Sequence, residues 1–532
     1  MAAATAPALA QGIEEYLAEH PSAAVLEDGR VLFEMRTARY SVGEEHGRCL
    51  LQLWSEERNL IRTVVEVQAR ARSLRLLTRR MGAPKPLALD LIPCSDRSTP
   101  SARDSARHTY QRLLERVLTR AYPSAKVDGL RSAMDLEHSF GPAYTRGRLL
   151  QGATAEAIIG IGVAESTAAI DGILTLGLLW LDYCREHGDA RRHYGGLKIL
   201  IPEGASHTTA ERLAWLNPAH AHMQLFTLNE RSEELTEVDF RDCGNLESRL
   251  VHAHAADATL ERCGEGIARL MALVPKAMQS RVELRANSAT EVGLLLHGLE
   301  FGRVRLSAVA HSFHREEQIS FGAGVNETPL TIENEALCHN LLERLFRSRH
   351  ANGSHTDALF RLQPERWLEA RLRACIVEIL PSLGAHPIYS QVPAMAAGER
   401  GMLDLLGLDR NGRLTVIEIK ADEDLHLPLQ SLDYWIRVKA LLEDLQPATG
   451  GGRPLTAFER HGYFPGAELS TLPPRLVLIA PALRIHPANE PVLRALHPQV
   501  EWELIALGED WRRELKVIFR KHSGVISRMT VE

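Results

Sequence analysis

From Asp28 to Ile92 the chain runs in short apolar or alternating segments, Arg30–Phe33, Arg39–Val42, Cys49–Trp54 and Ile61–Val67, parted by charged and glycine-containing turns. Runs of period two predict strands, so residues 1–95 are expected to form a β-rich N-terminal domain. Pro84, Pro86, Pro93 and Pro100 punctuate its end. Beyond them the period changes. Tyr110, Leu113, Leu114, Val117 and Leu118 recur at helical spacing and predict a helix over Ala102–Ala121. Strands near Lys126–Leu130, Ala143–Leu150 and Ala155–Val163 follow, then a long apolar helix at Ala168–Glu186. A strand at Leu197–Ile201, a helix at His207–Leu216 and a strand at His222–Leu228 complete an α/β domain over 100–235.

Residues 236–355 read as a mixed connecting region, with helices at Leu260–Val274 and Ile332–Phe346 and strands at Glu291–Leu296 and Ile319–Ala323. The small polar run Ser348–Thr356 reads as a linker. The pattern is clearest in 356–532. Pro364 occupies a favoured first-turn position, and Leu368, Leu372, Cys375, Ile376 and Ile379 form one stripe of a helix ending near Leu380. Strands at Ile388–Val392, Met402–Leu408 and Arg413–Lys420 precede a helix over Leu427–Leu442. A strand at Arg475–Ala480, a helix at Asn489–Leu496 and a strand at Glu501–Leu507 close the unit. Both α/β units therefore read α-β-β-β-α-β-α-β. Internal duplication and convergence both fit that order.

Composition narrows the class. A chain of 532 residues is too long for one core and suggests two to four domains. Its 45% hydrophobic and 24% charged residues are those of an ordinary globular protein. A net charge of -6 excludes a global basic field, so nucleic acid would need a local patch. Arg70, Arg72, Arg75, Arg79 and Arg80, and Arg512, Arg513, Lys516, Arg520 and Lys521, are the candidates; solvated faces are the commoner explanation. The seven cysteines never form a C-x-x-C pair, which argues against a zinc ribbon or a disulfide framework and fits a reducing compartment. Met1–Ala10 lacks a basic n-region, and Asp171 and Asp182 break the most apolar stretch. A cytoplasmic protein without a membrane partner is expected, and a homo-oligomer is compatible with the pattern.

The chemistry concentrates in Gly401–Arg437, which reads as a β-hairpin followed by a helix. A two-residue turn at Asn411-Gly412 would pair Arg410 with Arg413 and set Asp404 opposite Ile419. A three-residue loop over Arg410–Gly412, with Gly412 left-handed, pairs Asp409 with Arg413 and sets Asp404 opposite Glu418. Alternation places Glu418 and Lys420 on one face, so the second loop makes all three converge. Two carboxylates offer hard oxygen ligands to Mg²⁺ or Mn²⁺. Such a cation polarises a phosphoryl oxygen and acidifies a bound water, which a lysine can hold. The rival reading is an edge strand with a charged outer face. Against it, both acids sit inside apolar runs, MLDLLGL and LTVIEIK, where unpaired carboxylates are costly.

Asp404, thirteen intervening residues, then Glu418-Ile419-Lys420 on a hairpin between helices resembles the PD-(D/E)xK, restriction-endonuclease-like nuclease superfamily. The resemblance covers Glu365–Leu507. It implies an αβββαβ core in which Asp404 and Glu418 bind the metal, Ile419 lends its main-chain carbonyl and Lys420 assists the attack. Gln430 and Tyr434 match the Q-x-x-x-Y element of the RecB-like branch and lie on one helical face with Arg437. Glu369 takes the place of a first-helix acid that some members aim at the metal; the alternative is a solvated helix glutamate. Leu403 stands where many members carry proline. The resemblance thus implies a multi-domain α/β protein with a C-terminal nuclease core acting on DNA rather than RNA. A degenerate second copy is expected in the middle, with glycines in Glu156–Glu165 where Glu and Lys would stand. The alternative is a non-catalytic nucleic-acid-binding or scaffold protein that keeps the fold.

Overall fold

The computed structural model describes residues 5–524 except 22, 28–29, 36–37, 46, 55–58, 71–72, 80–85, 94–99, 136, 243–247, 254–255, 309–314, 324–326, 385, 397–398 and 448–452. The chain is mixed α/β and divides into two compact units, Met1–Cys243 and Gly244–Glu532. Among the described residues, no helix is long and apolar enough to cross a membrane.

The first unit opens with helix α1 (Ala6–Glu19) and an antiparallel sheet. Its strands are β1 (Ala24–Glu27), β2 (Arg30–Glu34), β3 (Arg39–Glu45), β4 (Arg48–Trp54), β5 (Asn59–Ala69), β6 (Leu74–Arg79) and β7 (Leu87–Ile92), in the order β2-β1-β7-β6-β5-β4-β3. Strict alternation in β4 buries Cys49, Leu51 and Leu53, and α1 lays Leu9, Ile13 and Leu17 into the same core. This is the β-rich N-terminal region that the alternating pattern predicts.

Helix α2 (Pro100–Ala121) then leads into β8 (Lys126–Arg131), β9 (Tyr144–Gln151) and β10 (Thr154–Ile161). Helices α3 (Thr167–Asp171) and α4 (Ile173–His187) cross to β11 (His193–Pro202). Helix α5 (His207–Leu213) leads to β12 (His222–Asn229), and β13 (Glu234–Val238) closes the sheet. Strand order is sequential; only the pairs β10/β11 and β11/β12 are parallel. Helical crossovers supply the length that parallel pairing needs.

The second unit contains β14 (Ser248–Leu250), helices α6 (Ala256–Arg262) and α7 (Gly264–Leu273), and a five-stranded antiparallel sheet. That sheet runs β15 (Val282–Ser288), β16 (Glu291–Leu296), β17 (Leu299–Ala308), β18 (Arg315–Phe321) and β19 (Thr328–Pro329). Helix α8 (Glu335–Ser348) packs with α7 on its apolar face. Next come α9 (Ala358–Arg361) and α10 (Pro364–Ile379), then β20 (Tyr389–Ala396), β21 (Glu399–Leu408) and β22 (Leu414–Ile419). Helices α11 (Leu427–Glu443) and α12 (Ala457–Arg460) precede β23 (Arg475–Pro481); α13 (Asn489–Arg494) precedes β24 (Trp502–Leu507) and β25 (Val517–His522). The sheet order is β14-β20-β21-β22-β23-β24-β25, with β22/β23 and β23/β24 parallel.

Strand for strand, β20–β25 repeat the order and directions of β8–β13, and the helices fall at the same places between them. Register repeats too. Both central parallel strands end on a proline, Pro202 facing Leu228 and Pro481 facing Leu507.

The expected linker Ser348–Thr356 does join α8 to α9, with Asn352 and Ser354–Thr356 exposed, but Arg349 within it is wholly buried. Its guanidinium donates to the carbonyls of Leu296, His297, Leu359, Leu362 and Gln363 and lies 4.6 Å from the centre of the Trp367 ring. Polar composition suggested a tether, but five main-chain acceptors compensate the charge and lock the β16–β17 turn to α10's entry.

Candidate active site

The turn between β21 and β22 sets the geometry. Asp409 N donates to Arg413 O at 2.9 Å, Gly412 N donates to Asp409 O at 3.1 Å, and Gly412 has φ 75°. The Asp409 carboxylate accepts the N–H groups of Asn411 (2.8 Å) and Arg413 (2.9 Å), so the loop is held by its own first residue. A Cβ at position 412 would stand 2.3 Å from the Glu468 carbonyl oxygen, which requires glycine for space as well as for φ. This is the three-residue loop. It pairs Leu408 with Leu414 and Leu405 with Ile417, and the same register carries Asp404 opposite Glu418.

The ladder stops at that point. Instead of a main-chain partner, Asp404 Oδ2 accepts the Ile419 N–H at 3.0 Å. On the other side, Gln391 of β20 lies between the pairs Ser390–Leu405 and Val392–Leu403, hence opposite Asp404. Its Nε2 donates to Asp404 Oδ1 at 3.2 Å and to Glu369 Oε2 at 2.8 Å. Its backbone is left-handed, φ 52°, inside a strand, and its Oε1 is buried without a partner. That conformation costs about 1–2 kcal/mol for a residue with a Cβ, a strain that clusters where function demands it.

Glu369 is only 3% exposed and accepts a second bond from Arg366 Nη1 at 3.0 Å. The solvated alternative is thereby overturned: α10 inserts Leu368 and Leu372 into the core, and Glu369 beside them is closed over by Gln391. Every residue of β22 is buried, and Glu418 Oε2 has no hydrogen-bond partner. Lys420 Nζ lies 3.7 Å from both Glu365 Oε1 and Asp424 Oδ2. Tyr434 and Gln430 sit on α11; the Tyr434 ring, 5.9 Å from the Arg437 guanidinium, feels the charges of Glu418 and Asp404. Gln430 is half-buried one turn earlier.

Burial dominates the electrostatics. It lifts Glu369 to about 7 and Asp404 to about 6, and pushes Glu418 well above the ordinary carboxylate range with help from Asp404. Burial alone would lower the Lys420 ammonium, but Glu365, Glu418, Asp424 and Asp404 outweigh it and raise its pKa. Among the described residues no group of three His, Cys, Asp or Glu side chains is assembled for a metal ion.

The repeated register also locates the matching positions in the middle sheet. Ile159 faces Arg146 there as Glu418 faces Asp404, and Ile161 falls at the place of Lys420. Isoleucines, not the expected glycines, thus stand at the positions matching Glu418 and Lys420, and Gly160 at that matching Ile419. Arg146 is fully buried, donates to the Ala133 carbonyl at 2.9 Å and stacks on Phe140 and Trp180. A buried cation thus stands at the position matching Asp404, and an isoleucine at the one matching Glu418.

Gln391, Glu365, Asp424 and Arg366 escaped the sequence reading. Asp424, four residues after Lys420, carried a readable signal; Gln391, whose neighbour across the sheet is set by register, did not. The C-terminal basic run is largely consumed internally: Arg512 stacks on Trp511, Arg520 pairs with Glu503 and Lys521 with Glu490. No protein family and no curated protein matches the chain.

Proposed function

We propose that the chain is a metal-dependent nuclease of the PD-(D/E)xK, restriction-endonuclease-like type that hydrolyses phosphodiester bonds in DNA. The observation that carries this reading is the opposition of two buried acids, Asp404 and Glu418, where the β21–β22 ladder ends, with Lys420 on the same face. The residues fit a hard divalent cation. Mg²⁺ needs only one or two protein carboxylates beside its waters. Glu418 Oε2, buried and without a hydrogen-bond partner among the described residues, is an oxygen that a hard cation would satisfy.

Asp404 and Glu418 would hold Mg²⁺ or Mn²⁺, with the Ile419 carbonyl as a further ligand and Glu369 linked in through Gln391. The bound ion would polarise the phosphoryl oxygen and acidify a water. Lys420, kept protonated by its four acidic neighbours, serves as a cation that offsets charge on the phosphate and not as the base. Tyr434 and Gln430 orient the lysine or the phosphate from α11. The middle core, with Arg146, Ile159 and Ile161 at the matching places, is a non-catalytic copy. Incubating the full chain with plasmid DNA in Mg²⁺ or Mn²⁺, against EDTA, tests the reading. Metal-dependent nicks support it; a chain that binds DNA and never cuts it is the scaffold protein instead.

A further inference from the structure

The αβββαβ unit does not make its site alone. Strand β15, from the five-stranded sheet, presents Glu283 and Arg285 on one face, and α10 presents Glu369 and Arg373 on one face. Arg373 Nη2 contacts Glu283 Oε1 at 2.9 Å. Two residues along a strand advance about 6.7 Å and one helical turn about 5.4 Å, so Arg285 comes to Glu369 when Glu283 comes to Arg373. The charges Arg285 feels most strongly are indeed Glu369 and then Arg366. The turn of the same sheet is fixed to the start of α10. A Cβ on Gly298, in the β16–β17 turn, would stand 1.9 Å from the Arg366 carbonyl oxygen, and Arg349 bonds that turn to the start of α10.

Arg285 is also weakly committed among the described cations of this neighbourhood. Arg366 is bound to Glu369, Arg373 to Glu283, and Lys420 lies between Glu365 and Asp424. Arg285 has one hydrogen bond among the described residues, from Nε to Asn287 Oδ1 at 3.3 Å. Its two Nη groups make none among the described residues, and the side chain is half-buried. A planar fork of free N–H donors beside a carboxylate site matches a phosphate, which guanidinium binds bidentately.

We infer that Arg285, supplied by the sheet outside the nuclease-like core, grips a DNA phosphate adjoining the one cleaved at Asp404 and Glu418. The inference rests on the nuclease reading for its substrate. Its test is steady-state cleavage of plasmid DNA in Mg²⁺ by the full chain and by Arg285→Ala and Arg285→Lys. Arg285→Ala should raise KM about tenfold with kcat nearly unchanged, and flatten the slope of log affinity against log salt by about one charge. Arg285→Lys should restore the slope but remain several-fold weaker in KM, because the fork is lost. An unchanged KM and slope, or a fall in kcat that tracks a fall in Tm, overturns the inference. Should the wild-type chain cut no DNA, the nuclease reading fails. Anisotropy of a labelled duplex in EDTA then still decides on Arg285, through a tenfold weaker Kd in Arg285→Ala or none.

Discussion

Glutamine in place of Glu369 should stabilise the metal-free protein at pH 8, although it removes an ion pair with Arg366. Glu369 is 3% exposed, and burial lifts its carboxyl from the ordinary 4.5 to about 7. Holding that group ionised in the fold costs about 3 kcal/mol, and a glutamine of the same shape escapes the cost. The sign follows from proton uptake. Between pH 4.5 and 7 the folded chain binds more of this proton than the unfolded chain, so the penalty is absent below that window, grows through it and is complete above it. Urea denaturation in EDTA at pH 5 and pH 8 reads the effect directly. Glu369→Gln should match the wild type at pH 5 and exceed it by about 3 kcal/mol at pH 8. A variant no more stable at pH 8, or a gap that ignores pH, would refute the argument that Glu369 is buried without adequate compensation.

Gly412→Ala should destabilise by about 2 kcal/mol or more, since φ 75° and the 2.3 Å approach to Glu468 O both exclude a Cβ; denaturant midpoints check this, and cleavage should fall with it. At Gln391, alanine should be less stable than glycine by about 1–2 kcal/mol, because φ 52° is strained for any Cβ. Both Gln391 variants should lose roughly 10–100-fold in cleavage as Asp404 and Glu369 lose their common donor. Mn²⁺ affinity, followed by calorimetry, should climb as pH rises through about 6 to about 7 and go on climbing above it, since Asp404, Glu369 and, higher still, Glu418 must shed protons to receive a cation. A pH-independent affinity would place the ion elsewhere.

Elements were legible where one face is apolar and the other is not. The stripe of α10 and the unbroken runs of β22 and β23 announce themselves because the core they enter is dry. Two edge strands did not. Strand β13, ELTEV, and strand β25, VIFRKH, have half or more of their residues exposed and pair along one side only, so their sequences carry little apolar signal. The Asp404–Glu418 opposition was legible because one glycine turn fixes a whole register. Gln391 was not, because its importance comes from a strand pairing and a backbone angle that no local pattern encodes. Arg349 misled for a related reason: a run of small polar residues looks solvated until main-chain carbonyls from two elements close round its one guanidinium. The middle sheet shows the same limit. Its order of elements was readable, whereas the residues at the positions matching Asp404 and Glu418 needed the register that places Arg146 against Ile159.

The central claim is that Asp404 and Glu418 together hydrolyse phosphodiesters, and single-turnover cleavage of supercoiled plasmid tests it most directly. Wild type, Asp404→Ala and Glu418→Gln would be compared in Mg²⁺ and in EDTA, with Tm measured alongside to show that each variant folds. The account predicts cleavage by the wild type in Mg²⁺ only, and a loss of more than about 10²-fold in both folded variants. Cleavage that persists in EDTA and in both variants, or a folded wild type that cuts no form of DNA in either metal, would contradict it.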